Sequence, residues 1–172
     1  MIINISEILK VYGGEISVDG DISLSDINFL GEDFVFETPL HIKGNIVNNG
    51  KALELNAVCT GIVKVHCARC MKELDQDVNF KVKEFFVQSD GENDDDDEDV
   101  VFFEGYNIDV KDIVVNHFLM NVSGKYLCSE DCKGLCPKCG ANLNLGDCGC
   151  KNDDIDPRWA ALADIMNRST NE

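Results

Sequence analysis

Cys128-Ser129-Glu130-Asp131-Cys132-Lys133-Gly134-Leu135-Cys136-Pro137-Lys138-Cys139-Gly140, closed shortly afterwards by Cys148-Gly149-Cys150, is the stretch from which the organisation of this chain is read. Six of the nine cysteines lie between residues 128 and 150, among Gly, Pro, Asp and Asn that favour turns and cannot assemble an apolar core. Something other than burial must hold such a segment, and a thiolate-bound metal does so with few residues. Pro137 presets φ after the first thiol of its CxxC, and Gly140 after the second lets backbone amides turn toward the sulfurs, the shape of a zinc knuckle.

Working outward, Cys67-Ala68-Arg69-Cys70 repeats the CxxC spacing far upstream. With Cys59 set aside as a packing residue on the core face of a strand, the candidate ligands are Cys67, Cys70, Cys128, Cys132, Cys136, Cys139, Cys148 and Cys150. They suffice for two tetrahedral four-cysteine sites and two Zn²⁺ ions. The preferred partition joins Cys136 and Cys139 to Cys148 and Cys150, leaving Cys67 and Cys70 to Cys128 and Cys132. A rival joins 67/70 to 136/139 and 128/132 to 148/150, and spacing leaves both open. Iron in a four-sulfur site is chemically allowed as well. Unligated thiols and single-CxxC redox chemistry are disfavoured, because free cysteines do not prefer CxxC on polar loops and Cys67 lies at a hairpin rather than a strand-to-helix turn.

The strands are read from period two. Phe34, Phe36, Leu40, Ile42 and Ile46 share one parity, interrupted at Pro39, and Asn48-Asn49-Gly50 is a hairpin signal. Leu53, Leu55, Ala57, Cys59, Gly61, Val63 and Val65 then keep one parity opposite Glu54, Asn56, Thr60, Lys64 and His66, a long strand that runs into Cys67. Val78, Phe80 and Val82 alternate again until Glu84-Phe85-Phe86 shifts the parity, which predicts a bulge. CxxC is therefore expected at a hairpin tip. Ile2 to Ile5 suggests a short strand, and Val100 to Phe103 an apolar one. Asp109 is expected to cap a helix over 109–121 with Val110, Ile113, Val114 and Phe118 inward, and His117 is expected as a satisfied core histidine. Asp156-Pro157-Arg158-Trp159 should open a closing helix over 157–167.

The expected fold class is α+β: an antiparallel β-sheet or partly open barrel with a long hairpin, one or two packing helices and a zinc-ribbon-like cysteine segment. Two regions are expected. Residues 1–127 form the β domain with an acidic loop at 89–99, and residues 128–172 form the cysteine-rich segment and closing helix.

Charge bounds the partners. The chain carries 15 basic and 32 acidic residues, a net −17, and two Zn²⁺ would offset only half the charge of eight thiolates. Eight of the carboxylates crowd residues 89–99, a solvated run without EF-hand spacing, yet 24 remain outside it against the same 15 cations. Phosphate backbones repel such a chain unless its cations are segregated, and basic protein is its natural electrostatic partner. No apolar run approaches the roughly 20 residues of a membrane span, and the opening residues lack a basic segment leading into an apolar one, so a soluble, cytoplasmic protein is expected. Nucleophile elbow, phosphate-binding glycine loop and HExxH are all missing from the sequence. Four-thiolate sites keep no open position, so no enzymatic activity is expected.

Cys67-Ala68-Arg69-Cys70, the string Cys132-Lys133-Gly134-Leu135-Cys136-Pro137-Lys138-Cys139-Gly140-Ala141-Asn142-Leu143-Asn144, Cys148-Gly149-Cys150 and Asp156-Pro157-Arg158-Trp159-Ala160-Ala161-Leu162 together resemble the YceD family of large ribosomal RNA subunit accumulation proteins. Where that family usually carries Leu-Pro before the lysine that precedes the cluster, Ser123-Gly124 stands here. The resemblance implies a non-enzymatic ribosome-biogenesis role supporting accumulation of 23S ribosomal RNA. Three ways of acting are left open: binding a basic ribosomal protein or assembly factor, direct contact with rRNA, or a redox- or zinc-responsive switch. For direct contact the candidate cations are Lys64, Arg69 and Lys72 near one knuckle and Lys133, Lys138 and Lys151 near the other.

Overall fold

The alternation that begins at Leu53 runs to His66 as a single strand. A computed structural model of the chain describes residues 1–89 and 100–150. In order, the described elements are β1 (Ile2–Asn4), β2 (Glu15–Ile22), β3 (Ile27–Phe29), β4 (Glu32–Phe34), β5 (Leu40–Asn48), β6 (Leu53–His66), β7 (Glu73–Gln88), β8 (Val101–Phe103), β9 (Asn107–Asp109) and α1 (Lys111–Asn121). Most of the acidic run and the expected closing helix at 157–167 lie outside the described residues.

The main sheet has the order β2-β5-β6-β7-β8, antiparallel except where β8 runs parallel to the end of β7. Among the described residues it stays open and does not close into a barrel, and two small antiparallel pairs, β1–β9 and β3–β4, lie beside it. Turn chemistry sets the β5–β6 register. Gly50 takes φ +88°, and the Asn48 side chain receives the Gly50 N–H while donating to the carbonyls of Ile8 and Leu9.

One face of the sheet is dry. Ile42, Ile46, Leu55, Cys59, Val63, Phe80, Val82 and Phe86 are buried on it, and α1 adds Ile113, Val114 and Phe118. Phe118 is fully buried, with edge contacts to Phe34 at 5.3 Å and Phe36 at 5.2 Å between ring centroids and a tilted contact to Phe80 at 6.1 Å. A fully buried Phe contributes about 1.5–3 kcal/mol from area alone, and each well-placed ring pair about 0.5–1.5 kcal/mol more. These contacts fix where α1 ends, and hence where the chain enters the cysteine segment.

Two local expectations are corrected. There is no bulge at Glu84: the β6–β7 register is constant from Leu53↔Phe86 to His66↔Glu73. Glu84 instead occupies a core-facing position and meets His117 of α1, Nε2 to Oε1 at 2.9 Å. An inward carboxylate with a partner looks, in sequence, like a change of parity. Second, α1 starts at Lys111 with Val110 at the N-cap, because Asp109 is held extended in β9 opposite Ile2; its carboxylate still accepts the Lys111 N–H at 3.0 Å. The N-terminal third also contributes β2, paired along all eight residues with β5 and burying Val18 and Ile22. Among the described residues no helix is long and apolar enough to cross a membrane.

Candidate metal centres

The β6–β7 hairpin ends in a tight turn that presents Cys67 and Cys70 side by side. The Met71 N–H donates to the Cys67 carbonyl at 2.9 Å and the Cys67 N–H to the Lys72 carbonyl at 2.8 Å, with Met71 forced to φ +58°. The chain leaving α1 docks here: the Ala68 N–H donates to the Tyr126 carbonyl at 2.8 Å, which sets Cys128 and then Cys132 over the same point. The sulfurs gather as Cys67, Cys70, Cys128 and Cys132, and separately as Cys136, Cys139, Cys148 and Cys150, each set within 4.8 Å. This is the first of the two partitions that spacing left open.

The distances are those of ligands rather than disulfides. Cys67 and Cys132 Sγ are 3.8 Å apart and Cys70 and Cys128 Sγ 3.7 Å, whereas a disulfide would bring sulfurs to about 2.05 Å. A tetrahedron with metal–sulfur bonds of about 2.3 Å has edges of about 3.8 Å. The four-thiol donor set and its spacing therefore fit a thiophilic cation, and each cluster could hold one metal ion. The first quartet is the drier: Cys67, Cys70 and Cys132 are buried, while Cys139 of the second is exposed.

Backbone donors prepare both sites. Burial pushes the Cys67 thiol up, but N–H groups of Cys128, Arg69 and Cys70 outweigh it and bring the thiol down to about 6. The Cys139 and Lys138 amides bring Cys136 to about 6 as well. Not every thiol follows. Against a favourable Lys72 amide, burial and the neighbouring thiols drive Cys70 up to about 12, and Cys139 and Cys148 drive Cys150 to about 12. Like charges under 4 Å apart oppose each other's ionisation, and a cation at the centre removes that opposition.

Two residues that support the first quartet carry no periodic signal and were not predicted in that role. Arg69, flagged as a possible phosphate contact, directs Nη1 to the carbonyls of Glu130 at 3.0 Å and Cys132 at 2.9 Å, while its own carbonyl accepts the Leu135 N–H at 3.0 Å. It ties the hairpin tip to the cysteine segment. Asn144 donates from Nδ2 to Cys132 Sγ at 3.4 Å and accepts the Lys133 N–H at 2.8 Å. Gly134, at φ +76°, lets the chain pass so close that a Cβ would stand 2.9 Å from the Arg69 carbonyl. Of the other cations named from sequence, Lys64 is paired with Glu37 at 3.1 Å, and Lys151 lies outside the described residues. Cys59 stands apart, fully buried in the main core, its thiol pushed to about 11 by burial. Neither quartet includes a histidine; the His66 ring faces Glu32.

A family model described as "Large ribosomal RNA subunit accumulation protein YceD" matches residues 55–166, a span that takes in both quartets. An uncharacterized protein of Mycobacterium tuberculosis is 29% identical over 102 residues, 58% of this chain and 49% of its own length. YlbN, an uncharacterized protein of Bacillus subtilis, is 25% identical over 151 residues, 87% of each chain. The chloroplastic large ribosomal RNA subunit accumulation protein YCED homolog 1 of Arabidopsis thaliana is 25% identical over 165 residues, 80% of this chain and 51% of its own length. The match to the mycobacterial relative thus spans about half of that protein's length. No solved structure matches the chain.

Proposed function

The chain belongs to the YceD family of large ribosomal RNA subunit accumulation proteins, and from that premise we propose that it is a non-enzymatic factor in cytoplasmic assembly of the large ribosomal subunit, holding two zinc ions and docking a basic ribosomal protein or assembly factor. The observation that carries the metal half of this reading is the pair of closed four-sulfur clusters. All four corners of each tetrahedron are protein sulfur, which leaves no position for a water or substrate and suits a structural ion. Zn²⁺ is the ion such a set favours in a reducing compartment, and its role is to hold the coreless 128–150 segment against the hairpin tip.

The docking half rests on charge. The outward positions of β7 nearest the tip are Glu73, Asp75 and Asp77, all exposed, and they continue the excess of carboxylates over cations that marks the whole chain. A basic partner gains from that field, and steering by it speeds encounter.

The test combines metal and binding. Native mass spectrometry with elemental analysis should find two zinc ions per chain and no disulfide. A purified basic large-subunit ribosomal protein should bind at moderate salt and be released when Glu73, Asp75 and Asp77 are changed to their amides. In cells lacking the protein, the ratio of 23S to 16S rRNA should fall and be restored by the wild type but not by Cys67→Ser/Cys70→Ser. Turnover of any substrate at a cluster, or cystines in place of zinc, would overturn the reading.

A further inference from the structure

Backbone N–H and C=O groups on a free strand edge are a template for a further strand, and β7 carries a long row of them. On one side β7 pairs with β6 from Glu73 to Phe86, but on the other β8 stands opposite only Phe86, Val87 and Gln88. Among the described residues no strand pairs with this outer edge from Glu73 to Phe85. The hairpin fixes which groups stand there. The Cys67 N–H donates to the Lys72 carbonyl, so bonded pairs recur at every second position from Val65↔Leu74, and the N–H and C=O groups of Glu73, Asp75, Asp77, Asn79, Lys81 and Lys83 point away from β6. Further along the same parity, the Ser89 N–H crosses to the Phe103 carbonyl at 2.9 Å, in agreement with that direction.

The two faces beside this edge differ. Outward, Glu73, Asp75 and Asp77 are exposed and form a row of carboxylates about 7 Å apart. Lys64, across from Asp75 on β6, is held by Glu37 at 3.1 Å; Lys72 precedes the row at the turn, and Lys81 follows it after the uncharged Asn79. Between the turn and Asn79, carboxylates therefore outnumber cations. Inward, a groove of about 200 Å³ lies between β7 and the chain leaving α1, with Val78, Phe118, Val122 and Tyr126 among its walls. Asp77 and Asn79 line it together with Gln76 and Val78, so residues of both parities border it and it opens at the strand edge. Gln76 Nε2 donates to the outward Asp77 carbonyl at 3.1 Å, a bond that the N–H of a neighbouring strand can replace.

We propose that the outer edge of β7, from Glu73 to Asn79, receives an extended segment of a basic partner protein as an added strand. Side chains of such a strand alternate in step with those of β7, so one set meets Glu73, Asp75 and Asp77 and the other enters the groove at Val78, Val122 and Tyr126. The segment that fits is a run of alternating Lys or Arg and apolar residues. Main-chain bonds supply its affinity, and the two unlike faces select it. The identity of the partner as a basic large-subunit protein rests on the docking reading above, whereas the direction of the edge and its two faces do not.

The test uses the full-length, metal-loaded protein and two labelled peptides of the same composition, one of strictly alternating lysine and valine and one with the lysines and valines in separate blocks. By fluorescence anisotropy the alternating peptide should bind about tenfold more tightly than the block peptide. In amide exchange, Asp75, Asp77 and Asn79 should exchange freely in the protein alone and slow about tenfold when the alternating peptide saturates it, while Gln76 and Val78, already bonded to β6, change little. Asn79→Pro removes one outward N–H without altering charge or the β6 ladder and should weaken the alternating peptide about tenfold, with Asn79→Ala within about twofold of wild type. Unchanged exchange at Gln76 and Val78 reports that β7 is intact in the proline variant. Equal binding of the two peptides, an unweakened Asn79→Pro, or slow exchange of the outward amides in the protein alone, as another part of the chain or a second copy on the edge would give, would overturn the proposal. A bound ribosomal protein that leaves these amides exchanging freely would overturn the edge and spare the docking reading. Protection by the alternating peptide without binding of the ribosomal protein would support the edge and overturn the docking reading.

Discussion

Removing Cys67 and Cys70 should cost the β-sheet far more than removing two ligands of the second cluster, and the reason is loop length. The first quartet ties Cys70 to Cys128 across more than fifty residues of intervening chain, while the second ties Cys139 to Cys148 within one short loop. Treated as a cross-link that restricts the unfolded chain, closing the first loop is worth about 4 kcal/mol and the second about 3 kcal/mol. Only the first of these acts on the sheet, because its loop contains β7, β8, β9 and α1. The Cys67→Ser/Cys70→Ser variant should therefore lower the unfolding midpoint of the sheet by about 8–16 °C, at roughly 2–4 °C per kcal/mol for a chain of this size. Cys139→Ser/Cys148→Ser should leave that midpoint nearly unchanged while exposing residues 133–150 to protease. Far-UV circular dichroism at fixed zinc reads the first effect, and limited proteolysis with mass spectrometry the second. Chelation should lower the wild-type midpoint to that of Cys67→Ser/Cys70→Ser and shift that variant no further. Equal midpoint shifts for the two variants, or identical first fragments, would refute the staple argument.

Other consequences concern single contacts. Breaking the partly buried Glu84–His117 pair with Glu84→Ala should destabilise by about 1–3 kcal/mol in urea unfolding, because His117 loses its partner; Glu84→Leu/His117→Leu should cost less than the single change. Gly134→Ala places a Cβ against the Arg69 carbonyl at a φ that alanine resists, so the variant should lose metal from the first cluster at chelator concentrations the wild type withstands. Cys59, its thiol raised by burial from 9.0 to about 11, should carry about a hundredfold less thiolate at pH 8 than a free cysteine and resist alkylation until the sheet unfolds. Since the folded state holds that proton more tightly, its contribution to stability is complete below pH 9.0 and is lost as the pH rises toward 11, which pH-dependent urea unfolding of Cys59→Ala against wild type would register.

Much of this architecture follows from patterns confined to neighbouring residues. Alternation along Leu53 to Val65 requires a strand with one dry face, Asn48-Asn49-Gly50 supplies a turn, and CxxC spacing sets pairs of thiols side by side. Such signals survive in sequence because their physical cause acts over a few bonds. Glu84 is the instructive failure. Its carboxylate breaks an alternation whose backbone is unbroken, since the partner that makes an inward charge tolerable, His117, sits 33 residues away on α1.

The sites divide in the same manner. Eight cysteines and their pairwise spacing are properties of the sequence alone, as are the acidic balance and the family motifs carried by residues 128–162. Which pairs share a cluster was decided only by the fold, through the Cys67–Tyr126 contact that delivers Cys128 and Cys132 to the hairpin tip. Tertiary structure alone also spent Arg69 on two carbonyls and, among the described residues, left the outer edge of β7 without a neighbouring strand. Distances between groups far apart in the chain depend on register and packing, and no local pattern records them.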